Sequence, residues 1–209
     1  MHGRLHHDAL FVGAGKLLNG AASFFIRIYI VRFLDPAPYG VLSLGFNCLM
    51  LFDALVGSAL DLGAMALLTR GGPCDTPRIQ ACEKAAIRLK TGVGVVLALA
   101  FLLGGEWLGY RFLHGAGGRS FFLVLTVAGT LILLVRSAQL YFQARLRFRM
   151  FAAIDVTHAA LRLLLVALAL RSGAVSALLI LWCHAAAPAI VFGGFLIYGH
   201  AAAAWRKVR

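Results

Sequence analysis

The sequence predicts an all-α, polytopic integral membrane protein, and three observations carry that prediction. Of 209 residues, 61% are hydrophobic and 13% charged, with a mean hydropathy of +0.87, which is too apolar for an ordinary water-soluble domain. The apolar residues fall in runs long enough to cross a bilayer, each bounded by residues that break helices. The basic residues are confined mostly to the connections between those runs. At roughly 20 apolar residues per crossing the length has room for about six spans. No polar tract, cysteine framework or internal repeat is visible, so a disordered regulator, a disulfide-stapled secreted module and a solenoid are excluded.

The first span covers about residues 10–33. Lys16 and Asn19 interrupt it before any small-residue cleavage site, so it reads as a retained helix rather than a removable signal. Asp35-Pro36-Ala37-Pro38 cannot continue it. The second span, 41–68, stops at Gly71-Gly72-Pro73. Residues 71–89 form the one long connection, and the spacing of Cys82, Ala85, Ala86 and Leu89 predicts a short amphipathic helix lying at the interface. The third span, 90–112, ends in the flexible stretch His114 to Gly118, and the fourth, 120–143, in the basic connector Arg145 to Arg149. The fifth, 150–170, is joined to the sixth, 174–199, through Arg171-Ser172-Gly173. Gly105 and Gly109 on the third span, and Ala185, Ala189 and Gly193 on the sixth, recur every fourth position and predict close helix contacts.

Orientation follows from the Lys and Arg residues. One side collects Arg4, Lys16, Arg70, Arg78, Lys84, Arg88, Lys90, Arg145, Arg147, Arg149, Arg206, Lys207 and Arg209, against Arg32, Arg111, Arg119 and Arg171 on the other. Thirteen against four places both termini in the cytoplasm and requires an even number of crossings, in agreement with six. Tyr39, Trp107, Tyr110, Tyr141 and Trp205 fall near span ends, as interfacial anchors do.

Ionisable groups inside a bilayer cost roughly 2.5–3.5 kcal/mol each on insertion scales, so their arrangement is informative. On the first span Lys16, Asn19, Gly20, Ser23 and Arg27 share one stripe about 100° wide. The second carries Ser43, Asn47, Ser58 and Asp61, with Asp53 at the edge of that face; the fourth carries Gly129, Arg136, Gln139 and Gln143; the fifth carries Asp155, His158 and Arg162. Spans three and six are almost free of charge. Four striped helices and two clean ones predict a wet cavity lined by four members, with two facing lipid.

Two readings of the stripes are open at this point. In one, Asp53, Asp61 and Asp155 neutralise Arg27, Arg136 and Arg162 in buried pairs that hold the helices in register. In the other, Lys16, Arg27, Arg136, Arg162 and Gln139 form a cavity for an anionic headgroup, with the Arg145 to Arg149 cluster adding capacity. Depth favours the second, because Arg162 and Asp53 come out near the midplane, where carrier sites lie. The four cysteines, Cys48, Cys74, Cys82 and Cys183, have no metal-ligand spacing and read as small hydrophobes. No metal and no cofactor is indicated. His2, His6 and His7 read as a mobile terminus and His184 as a packing histidine. The charge of +12 is spent on loops, so nucleic acid is not an expected partner.

Arg32-Phe33-Leu34-Asp35-Pro36-Ala37-Pro38-Tyr39-Gly40 resembles the R-x-L-G-P-x-x-Y-G signature that closes the first helix of polysaccharide and lipid-linked oligosaccharide flippases, with Asp35 in place of the usual Gly. The stretch Asp61 to Arg70 is similar to the family's G-L-x-x-A-x-x-R pattern, and Arg136 to Ile154 is similar to its fourth-to-fifth helix connector. The resemblance runs over about residues 10–199. It implies the multidrug/oligosaccharidyl-lipid/polysaccharide exporter fold, in which two six-helix lobes face each other across a cavity. Residues 1–209 would make one lobe, either a fragment or remnant of a longer protein or a half-transporter that pairs with itself or a second half. The implied function is transport of a polyprenyl-diphosphate-linked oligosaccharide across a bacterial inner (cell) membrane for surface polysaccharide synthesis. Arg27, Arg136 and Arg162 would offset the diphosphate, and Asp53, Asp61 or Asp155 would bind the coupling ion. The alternatives are half of a cation-coupled drug exporter and, in another class, a membrane-embedded transferase or a non-transporting partner of the synthesis complex. Covalent catalysis is not required, so the chain is not expected to be an enzyme.

Overall fold

The computed structural model describes the backbone of residues 2–69, 76–113, 118–173 and 176–207, and the side chains of 10–66, 81–82, 84–113, 118–143, 145–173 and 176–198. Among these residues every regular element is helical. There are six helical rods: α1 (His2–Phe33), α2 (residues 36–69), α3 (residues 76–113), α4 (Gly118–Ala144), α5 (Phe148–Arg171) and α6 (Ala177–Lys207). Five segments are long and apolar enough to cross a membrane, namely Pro36–Ala66, Lys84–Leu113, Gly118–Gln143, Phe148–Arg171 and Ala177–Tyr198. The chain is therefore an all-α polytopic membrane protein.

Two expectations about the elements differ from what the described residues show. By length and apolarity five segments among them are candidate spans, against six expected, and the remaining expected span is α1. The 32-residue α1 is long enough to cross, but Lys16, Asn19, Arg27 and Arg32 dilute its hydropathy. The separate interfacial helix is also absent: from Thr76 the chain runs without a break into the third span. An amphipathic helix and the first turns of a span have the same 3.6-residue period, so spacing alone does not separate them. The breaks expected at Gly71 to Pro73 and at His114 to Gly117, Cys74, and the side chains of the N-terminal histidines and Trp205 lie outside the described residues.

Local chemistry sets the helix ends. Asp35 is extended (φ −60°, ψ 157°) and Pro36 takes the first helical position of α2, where its missing N–H has no partner to lose. Between α4 and α5, Leu146 N–H donates to Gln143 O at 3.0 Å and Arg147 N–H to Phe142 O at 2.9 Å, the paired bonds of a Schellman cap. The left-handed position of that cap is held by Leu146 (φ 55°), while the end of α5 uses Gly173 (φ 75°).

The helix α4 is the hub. Phe121, Phe122 and Leu125 gather with Leu42 and Leu49 of α2, Val166 of α5, and Ile180 and Leu181 of α6 in one buried cluster. The Gly105 and Gly109 expectation holds: a Cβ on Gly105 would sit 2.9 Å from the Arg119 Cα, and one on Gly118 would collide with the Gly109 Cα. On α6 the expected repeat is partial. Ala185 is buried, whereas a Cβ on Gly193 would meet nothing within 4 Å. Outward-facing residues are large and apolar, with Leu17, Leu103 and Trp107 all exposed, as a lipid-facing surface requires.

The middle of α2 departs from α-geometry over Asp53–Ser58, which is a π-helical turn. In a regular helix Asp53 and Asp61 would be displaced by roughly 80° around the axis, whereas one inserted residue turns them back to within about 20° of each other. Both carboxylates therefore face the same way.

Candidate functional site

The π-turn faces a cavity of about 740 Å³ bounded by α1, α2, α4, α5 and α6. Of the helices expected to face only lipid, α3 contributes nothing to this lining, but α6 contributes His184. That corrects the sixth helix, whose Ile180, Leu181 and Ala185 are buried against the bundle. All eight residues singled out from the sequence stand on the cavity wall: Lys16, Arg27, Asp53, Asp61, Arg136, Gln139, Asp155 and Arg162.

Three carboxylates each have a resident cation, but the pairs are not the expected set. Arg136 reaches across from α4 to Asp53, and its second terminal nitrogen lies 3.5 Å from Asp61. Lys90 Nζ donates to the other Asp61 oxygen at 2.7 Å. Lys16 Nζ lies 2.9 Å from Asp155 Oδ2, and Gln139 Nε2 donates to Asp155 Oδ1 at 2.6 Å. Gly57 makes room for the first of these pairs, because a Cβ there would fall 2.8 Å from Asp53 Oδ1 and 2.9 Å from Leu133. Lys90 is fully buried, although its place at the start of the third span marked it as a loop residue. The helix already begins at Thr76, which puts Lys90 well inside it.

Among the described residues Arg27 and Arg162 have no carboxylate partner. Arg162 is held instead by α1: its Nη2 donates to Asn19 Oδ1 at 3.1 Å and to Ser23 Oγ. Arg27 reaches the Met50 sulfur at 3.5 Å and is close enough to Arg162 for the two charges to repel. On the lining Lys16, Arg27, Arg136 and Arg162 outnumber Asp53, Asp61 and Asp155 by four to three; the fully buried Lys90, which pairs with Asp61 from outside the lining, brings the ratio to five to three. Uncompensated charge at this depth is costly. Arg162 lies 14 positions into α5, about 21 Å along the helix at ~1.5 Å per residue.

The Arg145 to Arg149 cluster adds nothing to the cavity. Arg145 packs over the Tyr141 ring at 4.2 Å and Arg149 over Phe11 at 5.5 Å, so these side chains are taken up by cation–π contacts at the connector. Sequence reasoning left out His158, and Lys90, which supports the site by pairing with Asp61 from behind the lining. His158 was visible on the stripe of Asp155 and Arg162, and it lines the cavity. His184 behaves as a packing group, with Nδ1 2.9 Å from Ile180 O and its ring against Phe46. Among the described residues no three His, Cys, Asp or Glu side chains converge to hold a metal ion.

One side of the cavity is polar, with Lys16, Asn19, Ser23 and Arg27 from α1. The wall from α2 combines the apolar Phe46, Leu49, Met50, Leu62 and Met65 with Asp53, Ser58 and Asp61. The two helices have few backbone contacts beyond their joining turn, so the cleft is open between them. Compared with protein-family models, curated proteins and solved structures, the chain matches none.

Proposed function

We propose that the chain moves a lipid-linked oligosaccharide, a polyprenyl-diphosphate-linked sugar, across a bacterial inner membrane for surface polysaccharide synthesis. The observation that supports this most is the pair of guanidiniums, Arg27 and Arg162, that have no carboxylate partner among the described residues, on a cavity wall whose cations outnumber its carboxylates even before Lys90 is counted. A diphosphate diester carries two negative charges, and guanidinium groups match its oxygens with paired donors. The apolar residues of the α2 wall, among them Phe46, Met50 and Met65, suit the prenyl end, and the polar α1 wall suits the glycan. Arg136 serves the site indirectly by holding Asp53 and Asp61, while Gln139 and Lys16 hold Asp155. Among the candidates for a coupling ion, Asp155 is the best placed, because its partner Lys16 is 56% exposed and free to leave.

In this reading the chain works as a half-transporter, with both termini in the cytoplasm and the open cleft between α1 and α2 closed by a second copy or a second six-helix half. A cation-coupled drug exporter would need an acidic cavity, which the charge balance disfavours. The test is reconstitution of the full chain in liposomes with a fluorescent polyprenyl-diphosphate sugar. Wild type should expose the sugar to an external quencher faster than empty liposomes do, and the Arg27→Ala/Arg162→Ala double variant should not. Equal rates for wild type and double variant would refute the proposal.

A further inference from the structure

We infer that His158 is a further specificity-determining residue of this cavity, donating together with Arg162 to an oxyanion of a phosphate or diphosphate group. The inference rests on the functional reading above and adds a residue to it. His158 and Arg162 are one turn apart on α5 and therefore share a face. The buried His158 Nε2 and the buried Arg162 Nε have no hydrogen-bond partner among the described residues, and both side chains line the cavity. Their neighbours explain why. Asn19 and Ser23 both bond to Nη2 of Arg162, which fixes the guanidinium plane and leaves the Nε edge unused. Asp155, one turn before His158, is occupied by Lys16 and Gln139, so it does not draw the imidazole away.

With the proton on Nε2, His158 and the Arg162 Nε–H one turn away offer two donors to one acceptor, and an anionic phosphate oxygen has the lone pairs and the charge to take both. In its uncharged form the imidazole would add a directed donor without adding positive charge. It therefore sharpens recognition of the phosphate geometry rather than general attraction for anions.

The experiment measures binding of inorganic pyrophosphate and of farnesyl diphosphate to the full chain in nanodiscs by calorimetry, for wild type, His158→Phe, His158→Gln and Arg27→Ala/Arg162→Ala. It is combined with the ¹⁵N shift of His158 Nε2 in the wild type. Loss of one charge-assisted hydrogen bond should weaken both ligands by about ten- to a hundredfold in His158→Phe. His158→Gln, which retains an N–H donor, should stay within a few-fold of wild type, and the wild-type Nε2 resonance should move on addition of either ligand. Tighter binding of farnesyl diphosphate assigns the site to a lipid headgroup, and equal affinities assign it to a free anion. If His158→Phe binds as wild type and the Nε2 resonance is unmoved while the arginine variant loses binding, the histidine role is overturned and the functional reading stands. If wild type binds neither ligand, both fail. Should His158→Phe not insert, the wild-type resonance alone decides.

Discussion

Removing Arg136 should cost stability, because it is the side chain that spans Asp53 and Asp61. With Arg136→Ala, Asp61 keeps Lys90 at 2.7 Å, but Asp53 loses its resident cation. At an effective dielectric constant near 20, a pair at the 3.5 Å separation of Arg136 and Asp61 is worth roughly 5 kcal/mol of Coulomb energy. All three side chains remain between 22% and 32% exposed, so solvent screening and recovered hydration offset a good part of it. Stranding one carboxylate of a fully buried pair costs about 3–5 kcal/mol, and the exposure brings the expectation to about 2–3 kcal/mol. The assay is reversible unfolding of the full chain in mixed detergent micelles, followed by helical circular dichroism. Arg136→Met should lose that amount, and Arg136→Met/Asp53→Asn should regain at least half of it, since the second change removes the stranded charge. An Arg136→Met protein within about 0.5 kcal/mol of wild type would refute the reasoning, as that is the ordinary scatter of uninvolved positions.

Leu146→Gly should stabilise the chain by about 0.5–1 kcal/mol, because a left-handed C-cap without a Cβ is unstrained; a drop in the unfolding midpoint would contradict this. Reporter fusions after Lys207 and within Gly115 to Gly118 should report cytoplasm and periplasm respectively, and the same compartment at both sites would overturn the orientation derived from the basic residues.

The stripes made the membership of the cavity wall legible, but not its pairings. Lys16, Arg27, Arg136, Arg162 and the three aspartates could be placed because 3.6-residue spacing decides which residues share a face of one helix. Which cation meets which carboxylate depends on the relative height of neighbouring helices, and α1 lies so that Lys16 reaches Asp155 while Asn19 and Ser23 reach Arg162. No periodicity within one helix contains that register. The alignment of Asp53 with Asp61 was hidden for a different reason: the π-turn shifts the phase of everything after it, so a constant 100° step put Asp53 at an edge. Lys90 was misplaced because a charged residue at the margin of an apolar run looks like a loop until the length of the preceding helix is known.

The enclosure of α4 bears on how this sequence can drift over evolutionary time. In its most apolar stretch 61% of residues are buried, against 11% for α3. A substitution on α4 must be accepted by α2, α3, α5 and α6 together, while one on the outer face of α3 need only remain greasy. Among descendants of a common ancestor, α4 should therefore change slowest and by exchanges that conserve volume, and α3 should diverge freely among Leu, Val, Ile and Phe. The exceptions on α3 are Gly105, where a Cβ would press on the Arg119 backbone, and Gly94, where it would meet the Thr130 side chain.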